Sequence, residues 1–518
     1  MVKRAGGVFL DFLRADPESP KPLYRQIYQE IRKAVLSGRL QPGTRLPSTR
    51  TLSKDLGVSR TTLRQSFDQL IDEGYLDGKT GYGTFVPLEL ARAGAQQSLK
   101  GKIKEETYEP RLPTISQRGK TLTTARVFGS ASAAAFDPAL PGLDLFPASL
   151  WARVAARRWR RLGGSLLGYD QPGGYRPLRH ALAQYLRSAR GLICDEEQII
   201  VTAGAMQTFT LLSHLLLDPG DQVWIESPGI ISGRNILAGT GAQIIPVPCD
   251  RFGLDISAGV RLKTAPKMVH ITPSRHYPLG YTMPLHRRLE LLSWAHEHNA
   301  WVIENDYDSE FRFKGAPLPA LQGLDRRELV IYTGSFGKTL FPGLRLSYLV
   351  VPPRLVQPFQ AAQLSYMPCP VPIQAIVADF INEGHYTNHV RQMRMAYSAR
   401  ESALAAEIKD QCGELLSPEP TGSGFHFLAH VAKGHDPVTI TKNAKDLGIV
   451  AYNLASYYLT RSAADNLPAD TWPPPGENKK MDGIKALVLG FACLPADEMG
   501  TAVEKLRRAI VQSKKKPD

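Results

Sequence analysis

Val330-Ile331-Tyr332-Thr333-Gly334-Ser335-Phe336-Gly337-Lys338 is the stretch on which the fold of this chain turns. Its first three residues read as a buried strand, and Gly334 and Gly337 then open a polar turn that ends on a lysine. The same pattern recurs on both sides. Ile199-Ile200-Val201, Val223-Trp224-Ile225, Ile244-Ile245, Met268-Val269-His270-Ile271, Trp301-Val302-Ile303 and Tyr348-Leu349-Val350-Val351 are short apolar runs with helical stretches between them. Such alternation predicts a largely parallel α/β sheet, whose ligands gather at the C-terminal ends of the strands. Polar clusters at 202–207, 304–308 and 333–338 fall at those ends. Gly337-Lys338-Thr339 is not a phosphate loop, because the first glycine of that motif would have to occupy Tyr332. Lys338 nevertheless lies between Ser335 and Arg345, both suited to holding a phosphate.

Nearer the N-terminus the period changes. Leu23, Ile27, Ile31 and Val35 recur every four residues until Gly38 stops the helix. Pro47-Ser48 starts a second, short helix that Gly57 can cap in the left-handed conformation. Ser59 caps a third, with Leu63, Phe67 and Leu70 on one face before Gly74. Tyr75-Leu76 and Thr84-Phe85-Val86 then read as two strands around a tight glycine-rich turn. Three helices and a hairpin make an α+β winged helix-turn-helix. On the third helix, Arg60, Thr61, Thr62, Arg64 and Gln65 crowd the first turn and a half, where base edges are met in the major groove. Arg50 on the second helix and Lys79 and Gly81 in the wing would flank that groove. Merely solvent-facing residues of a small helical domain would be the plainer reading of these side chains.

At 518 residues the chain exceeds one ordinary domain. Its net charge is +14, and residues 1–130 hold 22 Lys/Arg against 13 Asp/Glu, so nine of the fourteen lie in the first quarter. A nucleic-acid footprint requires that asymmetry, although a solvated basic tail would give the same charge. Gly, Ser, Gln, Lys and Pro dominate 89–130, which reads as a flexible basic linker. The expected organisation is therefore a DNA-binding domain at 18–88, the linker at 89–130 and the α/β domain at 131–518. Five dispersed cysteines suggest free thiols in a reducing compartment. His296-Glu297-His298 lacks metal-helix spacing, so no metal is expected. With no signal-peptide core and no apolar run of about 18 residues, a cytoplasmic protein without membrane contact is expected.

Leu46-Pro47-Ser48-x-Arg50, Gly57-Val58-Ser59-Arg60-x-Thr62 and Gly74-Tyr75-Leu76 through Gly81-x-Gly83-Thr84-Phe85-Val86 resemble the GntR family of bacterial transcription regulators. Tyr169-Asp170-Gln171-Pro172-Gly173-Gly174-Tyr175-Arg176-Pro177-Leu178-Arg179, Val201-Thr202-Ala203-Gly204, Thr272-Pro273-Ser274 and Asp306-Tyr307-Asp308-Ser309-Glu310-Phe311-Arg312 resemble fold-type I aminotransferases, which use pyridoxal 5′-phosphate. So do Gly334 to Lys338, Leu340-Phe341-Pro342-Gly343-Leu344-Arg345 and Glu383-Gly384-His385-Tyr386. Taken together, the chain resembles the MocR subfamily of GntR regulators. The resemblance implies that Lys338 forms a Schiff base with the cofactor aldehyde. It implies that Ser335, Arg345 and the helix start at Gly204, Ala205 and Met206 bind the phosphate, and that Tyr307 bonds the ring oxygen. Tyr169 would reach the phosphate of a neighbouring subunit, which implies a homodimer with two DNA half-sites.

The departures from that family pattern bear on activity. Asn305 stands where the family writes an aspartate paired with the pyridine nitrogen, and a neutral amide supplies no charge to make the ring an electron sink. Ile230 replaces a stacking tyrosine, Val488 aligns with the arginine that grips a substrate carboxylate, and Met206 and Gly337 replace residues that are commonly polar. A regulator sensing a small amine, amino acid or vitamin B6-type effector is expected ahead of two alternatives. One is a working aminotransferase with a fused DNA-binding domain; the other is a regulator whose pocket no longer uses the cofactor. No residue is assigned a catalytic role.

Overall fold

The computed structural model describes residues 12–514 apart from 14, 80–81, 89–114, 117, 120–133, 162, 170, 316–317, 367 and 460–484. The chain divides into two compact units, within Met1–Pro113 and Thr114–Asp518. Nearly all of the expected linker, 89–130, and Gly81 lie outside the described residues.

In the first unit, helices α1 (Leu23–Leu36), α2 (Thr49–Leu56) and α3 (Arg60–Asp72) enclose a core of Ile27, Ile31, Leu52, Leu63, Phe67 and Leu70. Ser48 and Ser59 cap α2 and α3 by accepting the N–H of Thr51 and Thr62, and Gly57 ends α2 at φ 67°. The buried Ser66 hydroxyl donates to Tyr24 O at 2.7 Å and ties α3 to α1. Strands β1 (Asp77–Lys79) and β2 (Gly83–Phe85) form the hairpin, paired Gly78 to Thr84. The first strand thus begins two residues later than expected. Tyr75 and Leu76 are not free to pair, because both N–H groups return to Leu70 O at the end of α3.

In the second unit, β3 (Ile199–Thr202), β4 (Gln222–Ser227), β5 (Gln243–Asp250), β6 (Gly253–Leu254), β7 (Met268–Ile271), β8 (Trp301–Asp306), β9 (Val330–Ser335) and β10 (Ser347–Val350) make one sheet. Its order is β3-β10-β9-β8-β7-β4-β5-β6. Every strand expected from sequence is there, and β9, β8, β7, β4 and β5 run parallel. β10 differs, lying antiparallel to both β9 and β3, so that Ser347 faces Ser335 on one side and Thr202 on the other. The two sheet faces bury separate sets. Ile200, Ile303, Ile331 and Leu349 pack with Phe209 and Leu212 of the helix Ala205–Leu216. Val201, Tyr332 and Tyr348 pack with Leu178, Leu182 and Leu186 of the helix Arg176–Arg190. This is a three-layer α/β arrangement.

A second sheet, not anticipated, follows in the order β11 (Leu416–Glu419), β12 (His426–Val431), β14 (Ala486–Gly490) and β13 (Tyr452–Asn453), all antiparallel. Phe136 O accepts the Gly490 N–H at 2.8 Å, which brings the segment after Phe136 against this sheet.

Candidate functional site

The exposed face of α3 is polar throughout. Arg60, Thr61, Arg64 and Gln65 are exposed, and Thr62 is half-buried with its hydroxyl 2.7 Å from Ser59 Oγ. Arg64 contacts Asp68 at 3.7 Å, one turn on. Asp68 and Asp72 continue the same face beyond Gln65, so the C-terminal half of α3 would repel phosphate and the N-terminal half is the part suited to DNA. Arg50 is exposed on α2. Lys79 belongs to β1, and its side chain lies outside the described residues. Arg45, which the sequence reading did not single out, is exposed and lies against the hairpin, 5.8 Å from the Phe85 ring centroid. A Cβ on Gly83 would come within 2.9 Å of the Arg45 Nε, so this glycine leaves room for the guanidinium.

In the α/β unit, the polar clusters meet at the expected strand ends. Gly204 has φ 92° and caps the helix Ala205–Leu216, whose first N–H groups lack intrahelical partners. A Cβ on Gly204 would stand 3.7 Å from the Arg345 backbone and 3.8 Å from its Nε. Arg345 itself is exposed and left-handed at φ 49°. Ser335 Oγ accepts the Gly337 N–H at 3.1 Å and lies 3.0 Å from Ser347 Oγ. A helix N-terminus, a guanidinium and two hydroxyls on neighbouring elements form a cradle suited to a phosphate. Gly334 is fixed by packing, since a Cβ there would fall 2.3 Å from the Tyr348 ring.

Lys338 is half-buried, and its ammonium donates to Ala139 O. Dehydration lowers it to about 8, although the carboxylates of Asp137 and Asp308 work in the opposite direction. Asn305 lies on the sheet face opposite Glu304 and Asp306. Its amide stands 3.3 Å from His270 Nε2, with Thr333 Oγ1 at 3.5 Å. Burial pushes His270 down to about 4, so the imidazole is neutral, and it packs edge-on to Phe209. No charge therefore reaches Asn305 from its side-chain partners. Glu304 accepts the Leu321 and Gln322 N–H groups, while Asp306 accepts from Arg190 Nε, Ser309 Oγ and Tyr332 OH at 2.7–2.8 Å. These anchors hold β8 on either side of Asn305.

Tyr307 accepts from Arg275 Nη1 at 3.2 Å, and burial raises the phenol well above its ordinary value. Arg275 also meets Asp308 at 3.2 Å and donates to His426 O. Ala205 is exposed and Met206 half-buried beside Gly204. Tyr169 is 98% exposed and touches none of the groups gathered around Lys338. Val488 is wholly buried, paired with Leu428 and Tyr452. Besides Arg45, the sequence reading missed His270, Ser347, Asp137 and Ala139. A signal for Asp137 was available in Phe136-Asp137-Pro138, an acid in an otherwise apolar, proline-rich run. Among the described residues, Glu226, Cys249 and His276 alone bring metal-ligand atoms within 4.8 Å of one another. The Glu226 carboxylate is already taken by the N–H and hydroxyl of Thr272.

Comparison with known proteins agrees with both units. Residues 23–86 match the model for bacterial regulatory proteins of the gntR family, and residues 144–461 match aminotransferase class I and II. The probable rhizopine catabolism regulatory protein MocR of Rhizobium meliloti is 36% identical over 84% of this chain and 87% of its own length. The pyridoxine biosynthesis transcriptional regulator PdxR of Corynebacterium glutamicum is 31% identical over 87% of this chain and 92% of its own. Among solved structures, LysN of Thermus thermophilus, an α-aminoadipate aminotransferase complexed with N-(5′-phosphopyridoxyl)-L-leucine, superposes with a TM-score of 0.65 at 26% identity. That match covers 76% of this chain and 97% of LysN.

Proposed function

This chain belongs to the MocR-type transcriptional regulators, a GntR helix-turn-helix joined to an aminotransferase class I and II domain, and from that premise we propose that it senses a small amine through pyridoxal 5′-phosphate held on Lys338. The observation that carries this reading is the neutral pair Asn305–His270 beside an intact lysine and phosphate cradle. The residues fit the cofactor. Gly204 leaves space against Arg345, the helix N-terminus and the Ser335 hydroxyl face the same region, and the Lys338 amine has a lowered proton affinity. When bound, the cofactor supplies an aldehyde that condenses with primary amines. Lys338 would supply the tethering nitrogen, Ser335, Arg345 and the N–H groups after Gly204 would hold the phosphate, and Tyr307 would serve the ring oxygen.

Asn305 would offer the pyridine nitrogen an uncharged partner, and neutral His270 adds no charge behind it, so these residues would do little to favour loss of a proton from the carbon beside a bound amine. Recognition without turnover is what a sensor needs. The protein acts as a cytoplasmic homodimer, with Tyr169 reaching the phosphate of the neighbouring subunit and two helix-turn-helix modules reading two half-sites. Effector binding changes the affinity of those modules for DNA.

Cofactor-treated wild-type chain should show a visible absorption band that Lys338→Ala lacks, and borohydride should fix the cofactor on the peptide containing Lys338. A colourless wild-type protein would refute cofactor use and favour a pocket with another ligand. Sustained multiple-turnover transamination would refute the sensor reading in favour of an enzyme.

A further inference from the structure

The nitrogen of Lys338 rests in a cradle built by other residues. Ala139 O accepts from it, and the Phe425 ring centroid lies 5.6 Å away. Asp137, whose charge the lysine feels, is fully buried. Its Oδ1 accepts the Ala139 N–H at 2.8 Å, while Oδ2 has no hydrogen-bond partner among the described residues. A buried carboxylate oxygen without a partner is costly, and a carbonyl, a carboxylate and an aromatic face are the three groups that recognise an ammonium ion. The other nearby carboxylate, Asp308, is already matched by Arg275, and the Arg275 guanidinium is in turn committed to Tyr307, Asp308 and His426 O. The adjoining strands β12 and β14 pair His426 with Gly490 and Leu428 with Val488, and contribute no guanidinium to this corner. The corner therefore holds one acid more than its fixed cations answer once the Lys338 nitrogen is engaged elsewhere.

We propose that Asp137, the Ala139 carbonyl and the Phe425 ring form an ammonium subsite of the effector pocket, so that the sensed ligand is a diamine, or an amine with a second cationic group, and not a simple amino acid. This rests on the reading of Lys338 as the residue that takes the cofactor aldehyde. Lys338 would vacate the cradle on joining the aldehyde, and the second cation of the ligand would take its position. When the first amine of the ligand then displaced Lys338 from the aldehyde carbon, the freed lysine amine would stay outside the occupied cradle. The subsite makes and breaks no covalent bond.

The test has two arms. In the first, cofactor-loaded full-length protein is titrated with 1,4-diaminobutane, butylamine and 4-aminobutyrate, with the shift of the visible band as readout. The diamine should bind about tenfold more tightly than butylamine, a difference that Asp137→Asn removes while the band itself remains. Equal affinities in the wild type, a preference that survives Asp137→Asn, or tightest binding of 4-aminobutyrate would overturn the proposal. The second arm omits the cofactor. Calorimetry of Lys338→Met should detect 1,4-diaminobutane binding that is absent from Lys338→Met/Asp137→Asn. If the single variant binds no diamine, the cradle is not an ammonium site. A colourless wild type would sink the cofactor reading alone, because the second arm still decides the subsite.

Discussion

Lys338 should combine with an aldehyde far faster near neutral pH than an ordinary lysine does. Only the deprotonated amine attacks a carbonyl, and dehydration pushes the Lys338 ammonium down to about 8 from the ordinary 10.5. At pH 7 that leaves roughly one-tenth of the amine neutral, against about one part in 3,000 for an unperturbed lysine, an advantage of roughly 300-fold in reactive form. The sign follows from the cause, since a lowered value enlarges the neutral fraction at every pH below it. Mixing cofactor-free protein with excess pyridoxal 5′-phosphate and following the growth of the visible band gives the association rate. That rate should rise about tenfold per pH unit up to about pH 8 and then level off. Asp137→Asn removes a carboxylate that opposes the shift, so its break should move to lower pH. A wild-type rate still climbing tenfold per unit through about pH 9 to 10 would show that Lys338 is an ordinary, solvated lysine.

Arg60→Ala should weaken specific operator binding by about 1–3 kcal/mol in a fluorescence-anisotropy titration, whereas Arg45→Ala, on the wing, should weaken all duplexes alike and flatten the salt dependence. Gly204→Ala places a side chain at φ 92°, ψ 169°, a region open almost only to glycine. It should cost about 1–3 kcal/mol and lower phosphate affinity, read as a loss of cofactor retention on dialysis. Asp306→Ala strands the buried Arg190 and should destabilise the α/β unit by about 3–5 kcal/mol in urea unfolding, with Asp306→Asn costing less. If Asn305 partners the pyridine nitrogen as proposed, Asn305→Asp would put a carboxylate there and should raise transamination turnover; unchanged turnover would locate the block elsewhere.

Much of this was legible in sequence for identifiable reasons. Helix caps at Ser48, Ser59 and Gly57 are local chemistry, and the apolar runs of the large sheet are dense enough to announce themselves. What was missed depends on long-range pairing. β11 contains Pro418, β13 has two residues, and β12 finds β14 far along the chain. The reversed direction of β10 did have a signal: the eleven residues between β9 and β10 are fewer than a parallel crossover needs. The site divides similarly. Residues within one motif, such as Gly334 to Lys338, could be listed in advance. Asp137 and His270 acquire meaning only from Lys338 and Asn305, which the fold brings to them.

The pairing of Ser335 with Ser347 turns residues 336–346 into a loop pinned at both ends, with Lys338 near one pin and Arg345 near the other. Chain length there acts as a ruler between the amine and the guanidinium. Adding or deleting a residue would alter that measure whatever its identity, and a one-residue slip of β10 would also turn its side chains to the wrong face. Insertion scanning should therefore find length change here disruptive even at positions such as the exposed Gly343, where no buried or cofactor-holding side chain is altered, a signature of metric constraint distinct from that of chemical constraint.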